Sequence, residues 1–178
     1  HYNLGNAYLQ DGKAAESIRC YEQALALKPD FVSAEIAKGV ALQETGLLED
    51  AIACFQRVLK SQPDYAEVYF NLGGALREAH NVCAAADAFR RATEILPDYA
   101  DAHAALGNTL SELGDYQSAI QHYEAALAQR PNWPQLQRDL GQLLRNTGQL
   151  SKAISAFRLA VSIKPDFAEA YGNLAMAL

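Results

Sequence analysis

Histidine and cysteine are the residue types in this 178-residue chain best suited to hold a metal or carry a nucleophile: His1, His80, His103 and His122, with Cys20, Cys54 and Cys83. No H-x-x-x-H puts two imidazoles on one helix face, and no C-x-x-C occurs, so no metal site is expected. Gly73-Gly74 falls inside helical sequence rather than in a phosphate-cradling loop, and nothing else suggests a cofactor. The carboxylates are scattered over polar helix faces without a base or nucleophile beside them, so the chain is not expected to be an enzyme. Asparagine is the more telling residue. Asn3, Asn71 and Asn173 each precede Leu-Gly or Leu-Ala. A carboxamide offers two donors and an acceptor, enough to hold a peptide main chain without reading its side chains.

The elements that would position these groups follow from a period. Pro29, Pro63, Pro97, Pro131 and Pro165 are each 34 residues apart, as are Gly5, Gly39, Gly73, Gly107 and Gly141. A further glycine column comprises Gly12, Gly46, Gly114 and Gly148, and aromatics recur as Tyr21, Phe55, Phe89, Tyr123 and Phe157. A fixed period of this length marks a stack of repeated units rather than one closed core. Within residues 32–65, Gly39 and Leu42 share one helical face, and Leu48, Ala51, Ile52, Phe55, Val58 and Leu59 form the apolar stripe of a second helix. Gly46 stands where the first helix must stop, in a left-handed turn that glycine accepts without a Cβ clash. Each column proline ends a second helix. Asp64 with Glu67, and Asp166 with Glu169, read as capping boxes, and Asp30, Asp98 and Asn132 as N-caps. The pattern predicts helices over 1–10, 14–27, 31–45, 48–61, 65–79, 82–95, 99–113, 116–129, 133–147, 150–163 and 167–178.

Composition narrows the function. Half of the residues are hydrophobic and 20% charged, as in a folded chain. The net charge of −6, without a Lys/Arg cluster, argues against nucleic acid. No apolar run approaches the roughly 18 residues that span a bilayer, so no membrane insertion is expected. The first residues do not show the charged-then-apolar pattern of a secretory leader, and Cys20 and Cys54, in equivalent places of successive repeats, are read as free thiols, so a reducing, cytoplasmic compartment is expected.

With L-G-x-x-[YL], a small residue, an aromatic, a small residue and a proline at this spacing, the chain resembles the tetratricopeptide repeat family over its whole length. Leu4-Gly5-Asn6-Ala7-Tyr8 through Ala24 and Pro29 carry the likeness, as do Leu106-Gly107 through Tyr123, Ala126 and Pro131. The resemblance implies an all-α, right-handed superhelix (an α-solenoid) of antiparallel helix pairs, the first helix of each pair lining a concave groove. It implies one array over 1–178, with a shortened repeat at 1–31, full repeats at 32–65, 66–99, 100–133 and 134–167, and the first helix of a sixth at 168–178. The last helix, with Tyr171, Leu174, Ala175 and Leu178 on its packing face, points to a longer parent chain or to end-to-end self-association.

On that reading the function is that of a protein–protein interaction scaffold, holding an extended or helical peptide segment in the groove. The alternative is a substrate-presenting arm of a multidomain, glycosyltransferase-like enzyme, because the partial asparagine ladder is similar to the arrays of O-linked N-acetylglucosamine transferases. The expected groove residues are Tyr2, Asn3, Asn6, Ile36, Val40, Phe70, Asn71, Arg77, Asn108, Arg138, Arg145 and Asn173. Among them Tyr2, Ile36, Val40 and Phe70 would form an exposed apolar patch, the asparagines would hold backbone groups, and the arginines would favour an acidic portion of the ligand. Three departures from the repeat stand out. His80 replaces a turn glycine and is read as a tolerated left-handed or rearranged turn. Glu35 and Lys38 are read as a compensated i,i+3 pair. Trp133-Pro134 opens a helix comfortably and is given no function.

Overall fold

The computed structural model describes residues 1–178 and is helical throughout, without a strand. The helices are α1 (Tyr2–Gln10), α2 (Ala14–Leu27), α3 (Val32–Glu44), α4 (Leu48–Ser61), α5 (Ala66–Glu78), α6 (Val82–Ile95), α7 (Ala100–Glu112), α8 (Tyr116–Gln129), α9 (Pro134–Asn146), α10 (Leu150–Ile163) and α11 (Ala168–Ala177). No end lies more than one residue from the expectation. They form two compact units, His1–Leu96 with α1–α6 and Pro97–Leu178 with α7–α11.

Helices this short are marginal alone, so packing of one apolar face holds them. In the first unit α4 buries Ala51, Cys54, Phe55 and Val58, the i, i+3, i+4, i+7 stripe, against Leu42 of α3 and Val68 and Leu72 of α5. In the second, α8 buries Ala119, Ile120, Tyr123 and Ala126. Every pair has the same close approach: the column aromatic of the second helix lies against the column glycine of the first. A Cβ on Gly39 would stand 2.6 Å from the Phe55 ring, well inside contact distance.

The turns within the pairs also repeat. At the end of α3, Gly46 has φ +76° and Leu47 N–H donates to Leu42 C=O at 2.9 Å, the Schellman bond that closes a helix. His80 takes the same left-handed conformation at φ +59°, and Asn81 N–H keeps the equivalent bond to Leu76 C=O. An L-residue carries a penalty there that glycine escapes, partly offset by the greater freedom glycine has when unfolded. His80→Gly is therefore expected to raise stability by about 0.5–1 kcal/mol. A urea midpoint that falls instead would contradict this account of the turn.

The expected caps are corrected. The N-cap position of the first helices is the aromatic after the Pro-Asp or Pro-Asn step, namely Phe31, Tyr65, Tyr99, Trp133 and Phe167, and no side chain caps any of these helices. Asp30, Asp64, Asp98, Asn132 and Asp166 stand one residue outside. Phe31 packs on Tyr2, Tyr65 on the core around Phe55 and Phe167 with Ala160 and Ala170, and this packing takes precedence, while local backbone bonds such as Phe31 N–H to Lys28 C=O, 3.2 Å, shape the entry. Side-chain caps occur on second helices instead: Asn81 accepts from Ala84 N–H and Asp115 from Ser118 N–H.

Candidate peptide-binding faces

Since the second helices fill the space between pairs, successive first helices stand side by side within each unit, and clefts open between them. In the first unit a cleft of about 410 Å³ between α3 and α5 is lined by Val40, Gln43, Glu44, Asn71 and Glu78. Gln43 donates from Nε2 to Glu78 Oε1 across it at 2.6 Å. In the second unit a cleft of about 400 Å³ between α9 and α11 is lined by Arg138, Asp139, Gln142, Glu169, Gly172, Asn173 and Met176. A further cleft at the start of the first unit includes Tyr2, Asn3 and Phe31. Val40, Asn71, Arg138 and Asn173 thus line clefts between first helices, and Asn3 lines one shared with Ala24 and Leu27 of α2.

The apolar quartet is not an exposed patch. Tyr2 packs against Phe31 and Tyr21, with ring centroids 4.9 and 6.0 Å away. Ile36 and Val40 pack on the core around Phe55, and the Phe70 ring meets Phe89 at 5.8 Å. All four are half-buried. The column aromatics project far enough across the glycine gap to support residues on the far side of the first helix, which one-helix periodicity does not reveal.

The polar candidates divide by what already holds them. Asn6 Oδ1 accepts from Tyr21 O–H at 2.8 Å, and Asn108 Oδ1 from Tyr123 O–H at 2.6 Å. Arg138 pairs with Asp139 at 2.7 Å and with Glu169, and stacks over the Phe167 ring. An anionic ligand would have to displace two carboxylates to reach it. Arg145 donates to Gln142 at 3.0 Å, and Arg77 forms no ion pair, so these two guanidinium groups keep their charge available.

The expected Glu35–Lys38 pair does not form. Glu35 accepts from Arg57 of α4, and Lys38 Nζ reaches Glu22 of α2 at 2.8 Å. Three residues apart on α3, the two side chains turn to opposite neighbours, each tying α3 to a different second helix. With Arg57 more than half exposed, the coupling in an E35A/R57A double-mutant cycle is expected at about 0.2–1 kcal/mol, and near zero for E35A/K38A. Coupling confined to the second cycle would reverse the assignment.

The same corner holds Cys54. Burial, with the Glu35 carboxylate beside it, pushes its thiol up from 9.0 to about 12. Because the folded form favours the bound proton, the stability this contributes is complete below about pH 9 and is lost as pH rises toward 12. All three cysteines are free thiols, with Cys20 and Cys54 buried and Cys83 exposed. Ellman's reagent at pH 8 is therefore expected to titrate Cys83 promptly, and Cys20 and Cys54 only on unfolding. Prompt reaction of all three would contradict the packing.

In the second unit His103 and His122 face each other with Nδ1 atoms 2.9 Å apart, and His103 Nε2 lies 3.0 Å from Pro97 C=O. The carbonyl only accepts, so His103 carries a proton on Nε2 and donates it to Pro97 C=O. The pair fastens α7 to α8. No group of three or more His, Cys, Asp or Glu side chains gathers as a metal site, and no helix is long and apolar enough to cross a membrane.

The repeat geometry and the side-by-side first helices define an α-solenoid of the tetratricopeptide kind. One family model described as a tetratricopeptide repeat matches residues 36–100 and 104–168, and another matches 1–31, so the chain belongs to the tetratricopeptide repeat family. Among solved structures, a crystal structure of MamA is 27% identical with a TM-score of 0.85, the match covering 93% of this chain and 96% of that one. YrrB, described as a tetratricopeptide repeat protein with an unusual peptide-binding site, is 20% identical with a TM-score of 0.81, covering 99% and 90%. TTC0263, a thermophilic tetratricopeptide repeat protein of Thermus thermophilus, is 21% identical with a TM-score of 0.68, covering 99% and 96%. The last two likenesses show the fold alone. No curated protein matches the chain.

Proposed function

We propose that the chain is a protein-interaction scaffold that holds an extended peptide against its first helices. The observation that carries this reading is the pair of clefts, α3–α5 in one unit and α9–α11 in the other, each with an asparagine side chain, Asn71 or Asn173, on its wall. A main chain alternates donors and acceptors, and a carboxamide can meet both. Val40 gives the first cleft an apolar wall, with Ile36 and Phe70 behind it on the same helices, while Tyr2, Asn3 and Asn6 extend the face through α1. Arg77 and Arg145, free of carboxylate partners, favour acidic side chains of the ligand; Arg138 contributes only if its carboxylates give way. YrrB, which shares the fold, is described as having a peptide-binding site, and this accords with such a use of the scaffold.

The test is to select binders from a displayed library of random dodecapeptides and map the best by NMR shift changes. Changes concentrated on the first helices of one unit or the other, α1, α3 and α5 or α7, α9 and α11, are expected. Asn71→Ala should weaken the peptide by about 3- to 10-fold, the worth of one hydrogen bond. Shifts confined to the second helices, or no binder at all, would overturn the reading.

A further inference from the structure

Two asparagines on the first helices differ from the rest in being tied from beneath. The Tyr21 and Tyr123 rings are buried, pressed on Gly5 and Gly107, so the core sets where their hydroxyl groups emerge. Each hydroxyl meets one side chain, Asn6 or Asn108, at 2.8 and 2.6 Å. A phenol is a better donor than acceptor because its oxygen lone pair is conjugated with the ring, so the O–H takes the amide oxygen. Burial pushes the Tyr123 ionisation upward and keeps that proton in place. The association is selective within the chain. Where the aromatic column is Phe55, Phe89 or Phe157, the place of the asparagine holds Val40, Gly74 or Gln142. In this column, tyrosine occurs only opposite an asparagine.

We infer that Tyr21 and Tyr123 are positioning residues that turn Asn6 and Asn108 into fixed hydrogen-bond donors, so that the first-helix face at these two points takes an acceptor, a main-chain carbonyl of the bound peptide. With Oδ1 engaged, only the Nδ2 hydrogens remain for a ligand, and rotation about χ2 would break the bond from below. Asn71 and Asn173, with no such bond, stay free to present either end. Each unit thereby offers a donor at a fixed place, Asn6 or Asn108, together with an adaptable group, Asn71 or Asn173. The inference rests on the peptide-binding reading above.

Two measurements separate its failure from the failure of that reading. In the free chain, the Asn108 Nδ2 order parameter is expected near the rigid value of about 0.85, with Asn71 below about 0.6. Tyr123→Phe, which keeps the residue type of three other repeats and so should fold, is expected to bring Asn108 down to the mobile range. With the selected dodecapeptide as probe, Tyr123→Phe should weaken binding by about 3- to 10-fold, and Asn108→Asp, which keeps the tyrosine bond but loses the donor, by at least as much. An Asn108 as mobile as Asn71, or unmoved by Tyr123→Phe, overturns the positioning role with or without a ligand. A peptide that maps to the first helices yet is indifferent to both variants overturns the inference while leaving the groove reading intact. If no peptide binds, both fall.

Discussion

Phe55→Ala is expected to lower the stability of the first unit by about 3–5 kcal/mol, the usual cost of truncating a fully buried phenylalanine. The ring has no exposed surface and lies among Leu42, Ala51, Cys54, Val58, Val68 and Leu72, residues of three successive helices. Little can move in to fill the hole, because the ring rests on Gly39, where there is no side chain to reorient. In a stacked array each pair is stabilised by its neighbours, so a loss at α3–α4 also weakens the seat of α2 and α5. Urea unfolding should show a midpoint shift of that size. A cost below about 1.5 kcal/mol would mean that the helices close over the cavity, contrary to a rigidly packed interface.

Gly39→Ala should change sign with its background. Alone it should cost about 1–2 kcal/mol net. The new Cβ would stand 2.6 and 2.9 Å from two atoms of the Phe55 ring, which has no free space to retreat into. Overpacking of this kind costs roughly 1–3 kcal/mol, from which the helix-propensity gain of alanine over glycine, about 0.5–1 kcal/mol, is deducted. In the Phe55→Ala background the obstacle is gone and only the propensity gain remains, so Gly39→Ala should there stabilise by about 0.5–1 kcal/mol. Gly172→Ala in α11, where nothing lies within 4 Å of the added carbon, should be stabilising on its own. Additivity of Gly39→Ala and Phe55→Ala would show that the glycine column is not kept open by the rings.

Both outcomes concern a relationship that the residue pattern already displays, since the glycine and aromatic columns share one period. The site is less legible. The α3–α5 cleft lies where the repeat places it, and Asn71 lines it, but the support of Ile36, Val40 and Phe70 by the core has no signature in the pattern. The periodicity of a single helix divides its surface into faces and cannot register how far a ring from the neighbouring helix reaches. The tyrosine–asparagine bonds do leave a trace, although the spacing of asparagines alone does not expose it. Tyrosine replaces phenylalanine in two repeats, and a buried hydroxyl needs a partner.

Local interactions are written in the order of the residues. Helix ends fall within one residue of expectation, the turn glycines have positive φ, and His80 is left-handed, because caps, turns and prolines act over about four residues of chain. The choice among distant partners belongs to the packed helices. Glu35 and Lys38 satisfy the spacing for a pair with each other, yet go to Arg57 and Glu22, residues 22 and 16 positions away. Asp64 and Asp166 satisfy the spacing of a cap, yet yield the N-cap position to Tyr65 and Phe167. In each case two local solutions are close in energy, within about 1 kcal/mol for an exposed pair or a cap, and burying an aromatic or meeting a charge on the adjoining helix outweighs the difference.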